Sequence, residues 1–184
     1  SYTQPYCRGI RMNPLKPVTQ ADWPAGVLEA VPWEPSAFYL TLESDAGAEI
    51  LHEAGAWYLQ EPSAMAAVAA LDPKPGERVL DLCAAPGGKS TQIAGRMGGA
   101  GLLVSNEPVP KRAAILARNM ERMGVTNALT VSAMPEALCK RWPEAFDAVL
   151  VDAPCSGEGM FRRHPETRDE WSPEAPAGCA KRQR

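Results

Sequence analysis

From about residue 58 onward, short apolar runs alternate with amphipathic segments, and this alternation limits the fold more than any other feature of the 184-residue chain. Runs rich in Val and Leu predict strands, whereas apolar residues three and four positions apart predict helices. The predicted strands are 78–82, 102–105, 128–132 and 146–152, and the predicted helices are 62–71, 90–97 and 111–123. Strands that alternate with helices form a parallel sheet, so we expect an α/β domain. Four strands are about half of a complete doubly wound sheet.

The first 55 residues differ from this regular part of the chain. Residues 1–55 are rich in Pro and Trp and weakly periodic, with one short run, 37–40, that suits a strand. They are either a packed extension of the main domain or the remnant of a substrate-binding region. Residues 56–184 carry the α/β pattern. The chain begins with Ser1 rather than Met and ends at Arg184 without a stop signal, so we expect both ends to be cuts.

The composition, with 45% hydrophobic and 22% charged residues, is typical of a soluble globular protein. No apolar run approaches the roughly 18 residues of a membrane span, and no secretion signal is apparent. We therefore expect no membrane partner. A net charge of −3 argues against a protein that binds nucleic acid by bulk charge alone, but it is compatible with a local basic groove.

The five cysteines are an odd number and widely spaced, which indicates neither a disulfide scaffold nor a zinc site. We therefore expect a cytoplasmic protein without a metal. Four of the cysteines, Cys7, Cys83, Cys139 and Cys179, are expected to be small buried hydrophobic residues. Cys155 is the exception, because it follows a predicted strand and has Asp and Gly neighbours.

A Gly-rich loop follows the first strand of the α/β region. The loop, residues 84–89, opens a helix, so its backbone N–H groups can face a ligand. Glu107 lies at the end of the second strand, 20 residues after Gly87. A carboxylate at this place typically binds the two hydroxyls of a ribose. Because ligands bind beyond the carboxyl ends of strands in open α/β sheets, the two features predict a nucleoside-bearing cofactor.

The loop sequence discriminates between cofactors. It lacks the G-x-G-x-x-G pattern, which disfavours a dinucleotide. Residues 88–90, Gly-Lys-Ser, resemble the end of a P-loop, but Cys83 stands where that motif needs Gly. S-adenosylmethionine carries no phosphate and needs only a close approach of the backbone, so it is favoured. An NTPase that uses Lys89, and a Gly-rich turn that merely connects strand to helix, remain alternatives.

A second motif, Asp152-Ala153-Pro154-Cys155-Ser156-Gly157, follows the fourth predicted strand. Because the carboxyl ends of parallel strands meet at one edge, we expect this motif beside the Gly-rich loop. A carboxylate and a thiol three residues apart, with a rigid proline between them, suit chemistry on a flat, electron-poor ring.

Together the two motifs resemble the Nop/Sun family of RNA cytosine-5 methyltransferases. The first is residues 80–91, Leu-Asp-Leu-Cys-Ala-Ala-Pro-Gly-Gly-Lys-Ser-Thr, and the second is residues 152–159, Asp-Ala-Pro-Cys-Ser-Gly-Glu-Gly. Residues 157–162 and 179–184 look most like the bacterial branch that modifies ribosomal RNA. The resemblance implies a Rossmann-like, S-adenosylmethionine-dependent methyltransferase fold with a mostly parallel sheet, incomplete at the C-terminus. Residues 56–184 would be the N-terminal half of its catalytic domain.

The resemblance also implies roles for individual residues. Those that would bind S-adenosylmethionine are Cys83, Ala84, Ala85, Pro86, Gly87, Gly88, Lys89, Glu107 and Asp152. Asp152 and Lys89 would also contact the target cytosine, and Cys155 would be the family's first cysteine, which helps to release the product. The nucleophile would be a second cysteine in a Thr-Cys motif, which this sequence lacks. Where the family usually has a polar or acidic residue that touches the adenine, the candidates here are Ala133 and Met134.

The implied activity is methyl transfer to carbon 5 of a cytosine in RNA, with ribosomal RNA favoured over transfer RNA. A thiolate that adds to carbon 6 makes carbon 5 nucleophilic. A protonated Asp152 in a dry pocket would then stabilise the charge that develops at the nitrogen 3 edge of the base. The base must be single-stranded or extruded to reach such a pocket.

Four basic residues, Arg162, Arg163, His164 and Arg168, are candidates for contacts with RNA phosphates, although interleaved acidic residues favour a solvated helix face instead. A non-catalytic RNA-binding module that has kept the fold is the remaining alternative.

Overall fold

The computed structural model describes residues 6–161, 165–169 and 171–183. Arg8–Asp152 form one compact unit, and the described residues from Ala153 onward belong to a second. The first unit contains two four-stranded sheets. Its strands are β1 (Arg8–Met12), β2 (Val27–Ala30), β3 (Ala37–Leu40), β4 (Trp57–Leu59), β5 (Arg78–Asp81), β6 (Leu102–Asn106), β7 (Ala128–Val131) and β8 (Ala148–Leu150). Its α-helices are α1 (Ile50–Glu53), α2 (Pro62–Leu71), α3 (Gly88–Met97), α4 (Pro110–Arg122) and α5 (Pro135–Arg141).

The strands β5 to β8 form a parallel sheet in the order β7-β6-β5-β8. Side chains alternate between the two faces of a strand. Val79 and Leu103 therefore pack in one core with residues of α2, α3 and α4, whereas Leu80 and Val104 pack with α5. All four predicted strands and all three predicted helices are present, which confirms the α/β architecture.

Two details of this region differ from the prediction. The fourth strand is Ala148–Leu150 rather than 146–152, because the residues up to Asp152 already belong to the loop at the carboxyl edge. Helix α5 has no counterpart among the predicted helices. Its seven residues include a single buried one, Leu138, so it shows too little apolar periodicity to be recognised.

The strands β1 to β4 form a second, antiparallel sheet in the order β2-β3-β1-β4. Ile10, Leu40 and Trp57 lie in its core. The sequence predicts only β3, whose observed bounds match the run 37–40. Strand β1 is hidden in the sequence because a buried arginine, Arg11, interrupts its apolar pattern.

The second unit contains two short 3-10 turns, Glu158–Met160 and Pro165–Arg168, and helix α6 (Ala175–Arg182). Cys179 is buried in this helix, as predicted. The predicted burial is wrong for Cys139, which is exposed because α5 turns only Leu138 into the core, and for Cys7, which is exposed just before β1.

Within the described part of the chain, no helix combines the length and the apolar character needed to cross a membrane. The same residues contain no cluster of three or more His, Cys, Asp or Glu side chains that could hold a metal ion.

Candidate functional site

The loop between β5 and α3 lies at the carboxyl edge of the parallel sheet. Two backbone hydrogen bonds tie its first half to the strands on either side of β5. Leu82 N–H donates to Leu150 O at 2.9 Å, and Ala84 N–H donates to Asn106 O at 2.8 Å. The loop therefore takes its position from both neighbouring strands.

The second half of the loop is held by side chains of α4. Arg112 Nη2 donates to Ala85 O at 3.1 Å, and Asn119 Nδ2 donates to Pro86 O at 2.8 Å. The Ala85–Pro86 peptide bond between these two carbonyls is cis. Successive carbonyl groups thus point toward α4.

Gly87 ends the loop with a φ of 116°, in the left-handed region that favours glycine. A Cβ atom at this position would also approach Leu116 Cδ1 to 3.3 Å. Helix α3 begins at the next residue, Gly88. The first N–H groups of a helix have no partner within the helix, so those of Gly88 and Lys89 are available to a ligand.

Glu107, the predicted ribose ligand, follows β6, and its side chain is 3% exposed. Its Oε1 accepts from Val109 N–H at 3.0 Å, and its Oε2 lies 2.9 Å from Arg112 Nη1. Each carboxylate oxygen has two acceptor positions, so one on each oxygen remains for a ligand hydroxyl. Arg112 thus contacts both the acid and the Gly-rich loop.

Asp81, the last residue of β5, is fully buried. Its Oδ2 accepts from Ser90 Oγ at 2.7 Å, whereas Oδ1 has no hydrogen-bond partner among the described residues. Burial raises the pKa of Asp81 to about 6, against the opposing effects of the Ser90 hydrogen bond and of Lys89. An unsatisfied buried carboxylate oxygen is costly unless a donor arrives to satisfy it.

Lys89 and Asp152 join the two sequence motifs. Lys89 Nζ lies 2.7 Å from Asp152 Oδ2, although the two residues are 63 positions apart. Asp152 follows β8, so the parallel pairing of β8 with β5 brings it to the edge where α3 begins. Its side chain is 56% exposed. The dry surroundings predicted for Asp152 are therefore not provided by the described residues of the chain.

Cys83 is partly buried within the loop. Burial raises the pKa of its thiol, and the nearby carboxylates Asp81 and Glu107 raise it further. The thiol is therefore protonated at neutral pH, which makes it a poor nucleophile.

Asn106 is a further buried residue at this edge. Its Nδ2 donates to Leu82 O at 3.0 Å, and its Oδ1 accepts from Ala133 N–H at 3.1 Å. It therefore links the loop after β5 to the segment after β7. Of the two residues predicted near the adenine, Ala133 is partly buried and Met134 is exposed.

Cys155 is exposed in the second unit, three residues after Asp152 in the chain. Its segment is held by local contacts: Gln183 Nε2 donates to Pro154 O at 2.9 Å, and Ser156 Oγ lies 2.6 Å from a Glu158 carboxylate oxygen. The position of Cys155 at the predicted pocket remains a prediction.

Of the candidate phosphate-binding residues, Arg162, Arg163 and His164 lie outside the described residues. Arg168 ends the turn Pro165–Arg168. Their contacts with RNA also remain a prediction.

Three residues of this edge were assigned no role from the sequence: Asp81, which lies within the first motif, Asn106 and Arg112. The first two could have been found, because each is a polar residue that closes an apolar strand. Arg112 could not, since it stands among other polar residues at the start of a helix.

Comparisons with known proteins agree with this geometry. The chain is 32% identical to the methyltransferase homolog protein from Pyrococcus horikoshii, with a TM-score of 0.75 over 88% of this chain and 55% of that one. NSun6 from Pyrococcus horikoshii, at 18% identity, shares the fold with a TM-score of 0.80 over 99% of this chain and 71% of that one. The fold and the residues at the carboxyl edge of the sheet together define a Rossmann-like methyltransferase fold.

Two family models match the sequence: 16S rRNA methyltransferase RsmB/F over residues 68–184, and the N-terminal domain of 16S rRNA methyltransferase RsmF over residues 1–62. The chain therefore belongs to the RsmB/F family of 16S rRNA methyltransferases. The predicted family, fold class and cofactor are thereby confirmed.

Among curated relatives, the chain is 41% identical to ribosomal RNA small subunit methyltransferase F of Klebsiella pneumoniae and 40% identical to that of Salmonella arizonae. Each alignment covers 98% of this chain and 40% of the relative. The chain thus spans about 40% of the length of these proteins.

Proposed function

We propose that the complete protein transfers a methyl group from S-adenosylmethionine to carbon 5 of a cytosine in ribosomal RNA. The observation that carries this proposal is the contact between Lys89 Nζ and Asp152 Oδ2 at 2.7 Å. It unites the end of the Gly-rich loop with the start of the Asp-Ala-Pro-Cys motif. A carboxylate that can contact the target base therefore lies next to the backbone N–H groups that can bind the cofactor.

The residues at the sheet edge fit S-adenosylmethionine. Asp81 Oδ1 is a buried acceptor that has no hydrogen-bond partner among the described residues, and it suits the ammonium group of the amino-acid end. The free N–H groups at the start of α3 suit its carboxylate. Glu107 is a nearly buried carboxylate with remaining acceptor positions for the ribose hydroxyls. When bound, the cofactor supplies an electrophilic methyl group on a sulfonium.

Asp152 and Lys89 are proposed to hold the cytosine. Asp152, when protonated, donates a hydrogen bond to the nitrogen 3 edge, where negative charge develops during the reaction. The ion pair with Lys89 keeps the carboxyl group at the sheet edge until the base arrives. Because Asp152 is 56% exposed among the described residues, its carboxyl group is accessible to a base that arrives at the sheet edge.

Cys155 is proposed to assist product release, as the family resemblance implies. The thiol that adds to carbon 6 belongs, by the same resemblance, to a Thr-Cys motif, which is absent from these 184 residues. Membership of the RsmB/F family supports ribosomal over transfer RNA as the substrate and the cytoplasm as the location. It also favours methyl transfer over the NTPase and the non-catalytic RNA-binding alternatives.

The role of Cys155 is tested with Cys155→Ala in the complete protein, incubated with substrate RNA and S-adenosylmethionine. If Cys155 assists release, the other thiol still adds and methylates the base, but elimination stalls. We expect a protein–RNA adduct that survives denaturation and appears as a slow, nuclease-sensitive band on a denaturing gel.

The matched control is Cys139→Ala, which removes an exposed thiol from α5. It should turn over like the unaltered protein and leave no adduct. Loss of turnover in Cys155→Ala without any adduct would instead make Cys155 the nucleophile. Absence of methyl transfer by the unaltered protein on every RNA tested would overturn the proposed function itself.

A further inference from the structure

A buried arginine connects the antiparallel sheet to the helix that carries the cofactor loop. Arg11 is the fourth of the five residues of β1 and is 1% exposed. Its Nη2 donates to Gly88 O at 3.1 Å and to Thr91 Oγ1 at 2.7 Å, both in the first turn of α3. Its Nε donates to Gln60 Oε1 at 3.1 Å. The guanidinium therefore faces the start of the helix from the side opposite the free N–H groups.

Thr91 extends this contact by one hydrogen bond. A hydroxyl group has a single hydrogen to donate but can also accept. Because Arg11 Nη2 donates to Thr91 Oγ1, the hydroxyl is free to donate onward, and Gly87 O lies 2.8 Å away. Arg11 thus contacts Gly88 O directly and Gly87 O through the Thr91 hydroxyl, which adds to the backbone bond from Thr91 N–H to Gly87 O at 2.9 Å.

Fixing these two carbonyl groups also fixes the N–H groups that follow them. The peptide unit is planar and trans, so its C=O and N–H bonds point in opposite directions. When Gly87 O and Gly88 O are drawn toward Arg11, the N–H groups of Gly88 and Lys89 are turned away from it, toward the carboxyl edge of the sheet. Gly87 and Gly88 have no side chain that would restrict these planes. The helix bond from Thr91 N–H to Gly87 O holds the first of the two planes together with the Thr91 hydroxyl.

Keeping this arginine charged inside the unit costs solvation free energy. Burial lowers the pKa of Arg11 to about 10, while Glu34 and Tyr58 raise it, so the guanidinium stays charged at neutral pH at a cost in solvation. A well-packed apolar residue often stabilises a fold as well as a buried ionic group does. An apolar side chain of similar size would lack the directed N–H donors of the guanidinium.

We infer that Arg11 is a positioning residue for the cofactor site, which orients the Gly87–Gly88 and Gly88–Lys89 peptide groups so that their N–H bonds face S-adenosylmethionine. The inference rests on the proposed function and adds to it a residue from outside the α/β region. It assigns the antiparallel sheet a part in cofactor binding, although its described strands contribute no residue to the sheet edge.

The experiment measures S-adenosylmethionine affinity by calorimetry, together with the KM for the cofactor and kcat, in the complete protein. Arg11→Met keeps the volume but removes the donors, and we expect about tenfold weaker affinity and a raised KM, with a smaller change in kcat. Arg11→Lys keeps one charged donor and should recover part of the loss. Thr91→Val removes only the hydroxyl group that links Arg11 to Gly87 O, and it should weaken affinity about threefold to tenfold.

Arg8→Met is the matched control, since it removes an arginine from the same strand. Arg8 Nη1 donates to Leu42 O at 2.6 Å and Ser44 O at 3.0 Å, far in sequence from α3. Its affinity for S-adenosylmethionine should stay within about twofold of the unaltered protein, whatever the change in thermal unfolding temperature.

The outcomes separate the inference from the proposed function. If the unaltered protein does not bind S-adenosylmethionine, the proposed function fails and the inference falls with it. If the unaltered protein binds but folded Arg11→Met binds equally well, or loses no more affinity than Arg8→Met, only the inference fails. Should Arg11→Met not fold, Thr91→Val decides: unchanged affinity overturns the inference, and weakened affinity supports it.

Discussion

The buried polar residues of the two sheets in the first unit face different surroundings. In the parallel sheet these residues, Asp81, Ser105 and Asn106, are confined to the carboxyl ends of β5 and β6. In the antiparallel sheet, Arg11 is the fourth of the five residues of β1 and Asn13 directly follows the strand, and both donate to backbone carbonyls at helix ends. The parallel strands are otherwise apolar inside, whereas the antiparallel sheet sends polar groups into the interior of the unit.

The difference reflects what each sheet has to contact. A parallel sheet covered by helices needs apolar strands and meets its ligand only at the edge. The antiparallel sheet instead contacts helix ends, whose free backbone groups need polar partners. Asn13 Nδ2 donates to Met123 O at 2.8 Å and Lys16 Nζ donates to Arg122 O at 2.8 Å, so the segment after β1 caps the end of α4. We therefore expect polar substitutions in the parallel sheet to affect chemistry and those around β1 to affect stability or positioning.

The largest expected effect is on catalysis, at the edge of the parallel sheet. Asp152→Asn cannot carry the proton as a carboxyl group does, so kcat for methyl transfer should fall about 10²- to 10³-fold. The free energy of unfolding should change by less than about 0.5 kcal/mol, because the side chain is exposed. Asp147→Asn is the control: Asp147 pairs with Arg78 at the opposite edge of the same sheet and should leave kcat unchanged. Equal activities of the two variants would contradict the proposed role of Asp152.

The second effect is on stability, after strand β1. Asn13→Ala leaves the buried carbonyls of Gly55 and Met123 without their donor, and we expect a loss of about 3 kcal/mol in the free energy of unfolding. Denaturant titration measures it. Asn127→Ala removes one exposed hydrogen bond to Ala100 O and should cost less than about 1 kcal/mol. If Asn13→Ala unfolds at the same denaturant concentration as the unaltered protein, the polar residues around β1 do not have the stabilising role that distinguishes the two sheets.

The third effect is a pH dependence of stability that originates at Asp81. Its pKa in the folded protein, about 6, is above that of an ordinary aspartate, so the folded state holds this proton more tightly than the unfolded chain. Stability is therefore highest below about pH 4 with respect to this group and falls by about 3 kcal/mol as the pH rises from there through 6. Asp81→Asn should lack this component when unfolding is titrated between pH 4 and 8. Parallel pH profiles of the two proteins would show that the carboxyl group is not desolvated.

The smallest effect concerns the ribose-binding acid. Glu107→Ala should weaken S-adenosylmethionine binding by about 1–2 kcal/mol, because the carboxylate is already shared with Arg112 and Val109 N–H. Glu77→Ala, at the amino end of β5, is the control and should bind normally. Calorimetric affinities that do not differ between these two variants would exclude Glu107 from the cofactor site.

The parallel sheet was predictable because its signals are local. Branched apolar runs mark the strands, Gly87 marks a turn that needs a positive φ, and proline begins three of the helices. The antiparallel sheet was mostly unpredictable because charged residues interrupt the apolar pattern of its strands, as Arg11 does in β1 and Glu29 does in β2. No local pattern distinguishes Arg11, buried among distant partners, from Arg8 on the same strand.

The sequence by itself determined the α/β class, the family and the order of the two motifs, because each depends on residues close together in the chain. Only the tertiary structure decided that Lys89 pairs with Asp152, that Asp81 keeps an unsatisfied oxygen, and that Arg11 reaches the first turn of α3. These contacts join residues up to 80 positions apart. Their energies depend on burial and on the direction of single hydrogen bonds, which exist only once the sheets have formed.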